Sequence, residues 1–350
     1  MSETIPPAAQ TGPQPVGENF ARCLIAVPTL NEARHIAGLL DMLMVEAEAM
    51  DAEIVVADGG SSDGTQAIAA RYAEQHERVS LIHNPKRIQS AAMNLAVERF
   101  GAGAKYVIRI DAHGTYPADY CRALVREAER TGADCVVVPM ITIGQNTFQR
   151  AVATAQNSMV GTGGSPHRTG KGGRLVEHGH HALMSIAAYQ AVGGYDETFR
   201  YNEDAELDYR LTRAGYRIWL TNATVMTYYP RSTPTSLFKQ YYGYGSGRAR
   251  NILKHRMVPK LRQMLPLVIL PAVALGTLAF LHWGALIPLI AWGAACLVLG
   301  AVAAWQHFDK YGLPFSRAPL VGVAAMIMHF AWSSGFWLHV ARSLTGAQKT

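Results

Sequence analysis

Tyr106-Val107-Ile108-Arg109-Ile110-Asp111-Ala112-His113 decides how this chain reads. An apolar run that stops at an acid, a spacer and an imidazole describes a buried strand delivering two ligating side chains to one point at its carboxyl end. In open parallel α/β sheets, ligands bind at that edge. Hard divalent cations prefer carboxylate and phosphate oxygens, so Asp111 and His113 form a candidate metal pair for a nucleotide diphosphate. A strand running into an Asp-rich turn leaves the same short signature, and the flanking sequence has to separate the two.

On both sides, short apolar runs alternate with helical periodicity. Strands are expected over residues 23–28, 53–57, 79–83, 105–110 and 135–139, with helices over 32–50, 64–75, 88–100 and 116–131 between them. Ile36, Leu39, Leu40 and Leu43 have the spacing of one apolar helix stripe. Strands separated by helical patterns imply an α/β domain with a mostly parallel sheet covered on both faces. Neither G-x-G-x-x-G after the first strand nor G-x-x-x-x-G-K-[ST] occurs. The usual dinucleotide and P-loop devices are therefore absent.

The second half changes character. From Gln263 to Phe308 there is no Asp, Glu, Lys or Arg, enough for two membrane spans of about 20 residues each. A hairpin near His282-Trp283-Gly284 would join them. A third uncharged run covers 318–341, so about three helices are expected. Arg248, Arg250, Lys254, Arg256, Lys260 and Arg262 precede the first run. This cluster carries much of the formal net charge of +6, and its place points to anionic membrane lipids, not nucleic acid. The positive-inside tendency puts it on the cytoplasmic side. Cys23, Cys121, Cys135 and Cys296 have neither zinc nor disulfide spacing. Expected boundaries are a loose tail over 1–20, the α/β domain over 21–247, the basic segment over 248–262 and a membrane domain over 263–341.

Four further stretches complete the pattern: Val27-Pro28-Thr29-Leu30-Asn31-Glu32, Asp58-Gly59-Gly60-Ser61-Ser62-Asp63, Gly193-Gly194-Tyr195-Asp196 and Asn202-Glu203-Asp204-Ala205-Glu206. With Asp111-Ala112-His113, this ordered set resembles the family 2 inverting glycosyltransferases. Among them it is most similar to the membrane-bound glycosyltransferases of succinoglycan-type exopolysaccharide synthesis. The resemblance spans residues 20–255 and implies a GT-A fold, a Rossmann-like, mostly parallel sheet followed by transmembrane helices. It also implies a multi-pass protein of the bacterial inner (cytoplasmic) membrane with its catalytic domain in the cytoplasm. The implied reaction moves a single sugar, glucose by the resemblance, from a UDP-sugar to a polyprenyl-diphosphate-linked saccharide.

The resemblance also assigns residues. Pro28, Thr29 and Glu32 match the first nucleotide loop. Asp58 matches an acid that accepts the N–H of a uracil-like base, although the same position suits a turn cap before Gly59-Gly60. Arg87, Asn94 and Arg109 match positions near the nucleotide-sugar; Arg87 also reads as a solvated helix end and Asn94 as a satisfied polar core residue. Asp111 and His113 replace the family's D-x-D, and the imidazole favours Mn²⁺ over Mg²⁺. Asp204, beside Glu203, matches the base that removes the acceptor hydroxyl's proton; acids at a helix start also favour the dipole.

The Gly-rich stretch 161–174, with Arg168, Lys171 and Arg174, reads as a loop over phosphates or a plain connector. His178-Gly179-His180-His181 matches no usual zinc spacing; by the resemblance His180 or His181 meets metal or acceptor. Arg248 and Arg250 are candidates for phosphate binding or for lipid anchoring. Family members that make long polymers carry Q-x-x-R-W. Gln240 is present here without the Arg or Trp, which argues for single-sugar transfer. Polyprenyl phosphate as the acceptor and a non-catalytic membrane scaffold are the alternatives.

Overall fold

A computed structural model describes residues 20–163, 172–259 and 264–345. Ten strands are labelled here: β1 (Cys23–Thr29), β2 (Glu53–Asp58), β3 (Val79–His83), β4 (Tyr106–Arg109), β5 (Cys135–Val138), β6 (Met140–Thr142), β7 (Arg174–Val176), β8 (His180–Ser185), β9 (Ile218–Leu220) and β10 (Met226–Tyr228). Eight of them form one sheet in the order β3-β2-β1-β4-β8-β5-β9-β7, and β10 pairs with β6 separately. The near-continuous burial of β1, β2, β4 and β5 is what strands covered on both faces require. One cover is the helix Ile36–Met50, which buries Ile36, Leu39, Leu40, Leu43, Ala47 and Met50. That helix starts four residues later than the pattern suggests, after a turn in which His35 N and Ile36 N both donate to the Glu32 carbonyl.

The sheet is parallel from β3 through β2 and β1 to β4. β8 then runs antiparallel to both β4 and β5. This reversal places the beginning of β8 beside the end of β4. His180 and His181 therefore arrive at the edge where Asp111 leaves the sheet.

The C-terminal half is helical. Pro234–His255 begins with a capping box between Thr233 and Ser236 and lies along Pro319–Leu344. Small residues set that approach: a Cβ on Gly245 would meet the Trp332 carbonyl oxygen at 1.9 Å, and one on Gly335 would meet the Tyr242 carbonyl oxygen at 2.0 Å. Backbones approach this closely only where side chains are absent. The expected third span is thus one continuous helix. Ser333 and Trp337 within it serve the neighbouring segment: Ser333 Oγ accepts from Leu270 N at 3.0 Å, and Trp337 Nε1 donates to the Leu267 carbonyl at 2.7 Å.

Two helical stretches, Trp283–Gln306 and Phe315–Leu344, are long and apolar enough to cross a membrane. The first apolar run differs from expectation. Over Leu265–Phe280 it is shorter and breaks into a 3-10 turn, the helix Ile269–Gly276 and another 3-10 turn. Pro266 and Pro271 remove two backbone donors from it. Residues 1–19 of the expected tail, 164–171 of the Gly-rich loop (with Arg168 and Lys171), and Lys260 and Arg262 lie outside the described residues.

Replacing Gly245 by Val should force these helices apart at a cost of about 1–3 kcal/mol. A lowered thermal midpoint in detergent, with Gly245→Ala intermediate, is the expected result.

Candidate active site

Arg109 ends β4 with its side chain buried, and three elements converge on it. Its Nε lies 3.2 Å from Asp111 Oδ1, and its Nη1 donates to Asp204 Oδ1 at 2.6 Å. Nη1 also reaches the Tyr195 hydroxyl at 3.1 Å, and Nη2 is 3.3 Å from His180 Nδ1. Asp204 sits in the first turn of the helix Glu203–Arg213, preceded by Asn202 at a left-handed φ of 60°. The Tyr195 hydroxyl donates to the same Asp204 Oδ1 at 2.8 Å. His180 completes the group, with Nε2 3.6 Å from Asp111 Oδ2 and Nδ1 3.8 Å from Asp204 Oδ2.

The charges interlock. Burial works against each ion, but the neighbours prevail. Arg109 is held well above its ordinary value by Asp111 and Asp204. Asp111 is held at about 2 by Arg109, His180 and His113, against burial. Asp204 is also lowered despite burial, by Arg109, His181 and His180. Glu203 goes the other way: burial and the adjacent Asp204 push it up to about 7.

A second acid holds the histidine segment in place. Asp208, one helical turn past Asp204, contacts His178 Nδ1 at 2.5 Å and His181 Nε2 at 2.6 Å. Against burial, these two histidines bring Asp208 down to about 2. His181 is fully buried behind the site, so the expectation that it meets metal or acceptor is corrected. Its ring anchors the strand start while His180 faces the cleft.

Asn94 is likewise committed within the chain. Its Nδ2 donates to the Tyr195 carbonyl and to Glu197 Oε1, each at 2.9 Å, and its Oδ1 accepts from Tyr195 N at 2.9 Å and from the Tyr189 hydroxyl. It shapes the turn that carries Tyr195, with no capacity left for a nucleotide.

Two cavities meet at Asp111. The smaller, about 120 Å³, is walled by Pro28, Thr29, Glu32, Arg87 and His113 among others, which gathers most of the residues assigned to the nucleotide. The larger, about 1060 Å³, reaches Asp204, Glu203 and His180. Gln89, Asp111 and His113 line both. His113 turns its Nδ1 to Glu32 Oε1 at 3.1 Å, and that contact raises its pKa against burial.

Asp58 is absent from both walls. Only 1% exposed, it accepts on Oδ1 from Gly60 N, Ser61 N and Gln66 Nε2 at 2.8, 2.9 and 2.7 Å. Its Oδ2 accepts from Thr29 Oγ1 at 3.2 Å and Ser61 Oγ at 2.5 Å. These five donors make it the cap of its turn in this structure, the second of the two roles the sequence offered it. Arg250 Nη1 donates to the Thr198 carbonyl at 2.5 Å and its guanidinium stacks 4.7 Å over Phe199. Arg248 does line the large cavity.

The sequence reading missed Gln89, which donates to Asp111 Oδ1 at 2.8 Å, together with Tyr195 and Asp208. Tyr195 had a signal in the Gly193-Gly194 turn, whose left-handed glycines aim it inward. Asp208 stood at i+4 from Asp204, on the same helix face.

The geometry can be set beside known proteins. Residues 24–193 match glycosyl transferase family 2. The chain is 57% identical over 314 residues to the succinoglycan biosynthesis protein ExoA of Rhizobium meliloti, covering 90% of this chain and 93% of that one. It is 24% identical over 240 residues to the dolichyl N-acetyl-alpha-D-glucosaminyl phosphate 3-beta-D-2,3-diacetamido-2,3-dideoxy-beta-D-glucuronosyltransferase of Methanococcus voltae, covering 66% of this chain and 74% of that one. Among solved structures, the mannosyltransferase PcManGT from Pyrobaculum calidifontis, in complex with GDP-Man and Mn²⁺, aligns with a TM-score of 0.50 at 20% identity, covering 95% of this chain and 88% of that one. With a relative aligned along nearly its full length and the sheet shared with a solved glycosyltransferase, this chain belongs to glycosyl transferase family 2 and has a GT-A-type α/β fold.

Proposed function

We propose that this chain is an inverting glycosyltransferase that moves one sugar from a UDP-sugar to a polyprenyl-diphosphate-linked saccharide during succinoglycan-type exopolysaccharide synthesis. The observation that carries the reading is the Arg109 bridge. One buried guanidinium holds the acid at the nucleotide cavity, Asp111, and the acid in the large cleft, Asp204, within a single ionic cluster. The relative from Rhizobium meliloti supports the pathway by its name, and the relative from Methanococcus voltae carries a dolichyl-linked sugar phosphate in its own. The two apolar helices support a membrane location beside such a substrate.

In this reading the nucleotide-sugar lies along the small cavity and across Asp111 into the large one, and the acceptor hydroxyl enters from the large one. Asp204 accepts the hydroxyl's proton while the new glycosidic bond forms and the bond to the nucleoside diphosphate breaks. Its Oδ1 is fixed by Arg109 and Tyr195, and its Oδ2 accepts no hydrogen bond among the described residues. A carboxylate this weakly basic contributes by position and by being ionised.

The donor set fits a divalent cation, Mn²⁺ or Mg²⁺, shared with substrate. Asp111 Oδ1 is occupied by Gln89 and Arg109, whereas among the described residues Oδ2 is approached by His180 Nε2 at 3.6 Å. Among the described residues no group of three or more His, Cys, Asp or Glu side chains is arranged to hold a metal alone. One carboxylate plus imidazole from His180 or His113 suits an ion completed by diphosphate oxygens and water. Such an ion would offset charge on the departing diphosphate.

UDP release from a panel of UDP-sugars with a polyprenyl-diphosphate saccharide tests the assignment. Asp204→Asn should lose on the order of 10²–10⁴ in turnover while keeping UDP affinity, and Asp111→Ala should lose metal-dependent UDP affinity as well. Full activity of Asp204→Asn would move the reading to a polyprenyl phosphate acceptor, whose anionic oxygen needs no base. No UDP release from any donor and no UDP binding would leave the scaffold alternative.

The raised Glu203 gives a pH test. Burial and Asp204 raise it to about 7 in the folded chain, above the ordinary glutamate range, so the folded chain binds the proton more tightly than the unfolded chain. Stability should therefore fall as pH rises from near the unfolded value through 7. Glu203→Gln removes that loss. Its thermal midpoint relative to the unmodified chain should climb between pH 5 and pH 8, and a difference independent of pH would contradict the assignment.

A further inference from the structure

The large cavity has two chemically different walls. The inner one is the ionic floor with Asp111, His180, Glu203 and Asp204. The other is supplied by the C-terminal segments through Leu265, Ile269, Trp292, Leu299, Met328 and Trp332. Trp292 and Trp332 could stack on a sugar ring, but the aliphatic Leu265, Ile269, Leu299 and Met328 beside them suit hydrocarbon. The cations Arg231 and Lys239 line the same cavity, are exposed, and form no ion pair among the described residues. Arg231 lines this cavity together with Asp111 and His113.

The outer side of the apolar wall supplies the second observation. The helix Ile287–Gln306 contributes Trp292 and Leu299 to the cavity, yet it also exposes Ile290, Val298 and Trp305, the last by 74%. Contiguous apolar exposure on this scale needs an apolar cover. Hydrocarbon therefore lies against one face of this helix while its other face walls the cleft. At about 1060 Å³ the cavity is at the upper end of what a single drug-sized ligand fills, leaving room for a second molecule beside the donor.

We infer that the apolar wall seats the hydrocarbon chain nearest the head group of a lipid-diphosphate acceptor, with Arg231 and Lys239 facing its diphosphate and its sugar directed to Asp204. The inference rests on the transferase reading and adds to it a site and a selectivity. Chain length at the lipid end, and not the sugar alone, decides which acceptor is used. Ala295 lines this wall and is exposed into it, so a bulky side chain there obstructs the lipid without touching the ionic floor.

The test compares a saccharide diphosphate carrying a long prenyl chain with the same saccharide diphosphate carrying a methyl group, for the unmodified protein and Ala295→Trp in detergent. The unmodified protein should prefer the prenyl acceptor by about tenfold or more in kcat/KM. Ala295→Trp should erase the preference, with UDP affinity and donor hydrolysis unchanged. Equal use of both acceptors by the unmodified protein, or a preference that survives Ala295→Trp, overturns the inference while leaving transfer itself intact. Absence of UDP release with every donor and acceptor sinks the transferase reading instead. A diazirine-bearing prenyl diphosphate gives a readout independent of any variant. Labelling should concentrate in residues 292–299 and 328–332, and labelling confined elsewhere overturns the proposed seat.

Discussion

Arg109 is a charge taken out of water, and much of the site follows from that. An unpaired guanidinium at the end of a central strand would cost several kcal/mol, and acids flank it on both sides. Asp111 comes from the continuation of β4, and Asp204 from a helix that starts nearly a hundred residues later. The same constraint explains why Tyr195 and His180 are present: each uses part of the guanidinium fork or of the carboxylates it holds. The acids stay ionised, and their spacing is fixed before any substrate arrives. Preorganised charge of this kind is where glycosyl transfer gains most of its rate.

Around this centre, the chain ties chemistry to membrane. The helix Glu203–Arg213 buries Glu206, which meets Arg210, Lys254 and His255. Lys254 also pairs with Asp196, and Asn202 donates to the Tyr244 carbonyl at 2.7 Å. The helix that carries Asp204 is thereby clamped to Pro234–His255, itself packed on Pro319–Leu344 through Gly245 and Gly335. Part of the basic cluster read as a lipid anchor thus turns inward. Lys254 and Arg250 serve this clamp, which leaves a smaller set of cations for a lipid surface.

The parallel half of the sheet was legible because β1, β2 and β4 are buried on both faces and so read as unbroken apolar runs. Asp111 and Asp204 were legible because a strand end and a helix start are marked locally. The antiparallel β8 was not: His180–Ser185 looks like any short strand, and only pairing with β4 and β5 reveals its direction. Asp58 was ambiguous for a related reason. A strand-end acid before two glycines describes both a base contact and a turn cap, and only the structure shows the five hydrogen bonds of the cap. The first apolar run misled, since the lack of charge measures polarity but not continuity, and its prolines divide it. The large cavity could not be read at all, because its walls come from opposite ends of the sequence.

Arg109→Met, which keeps the volume and removes the charge, tests the coupling most directly. With the folded fraction checked by thermal unfolding, UDP affinity and turnover at saturating donor would be measured on the same preparation. The account predicts that both fall together, because one guanidinium holds the nucleotide-side acid and the base-side acid. Turnover that persists undiminished in a folded Arg109→Met protein would contradict it.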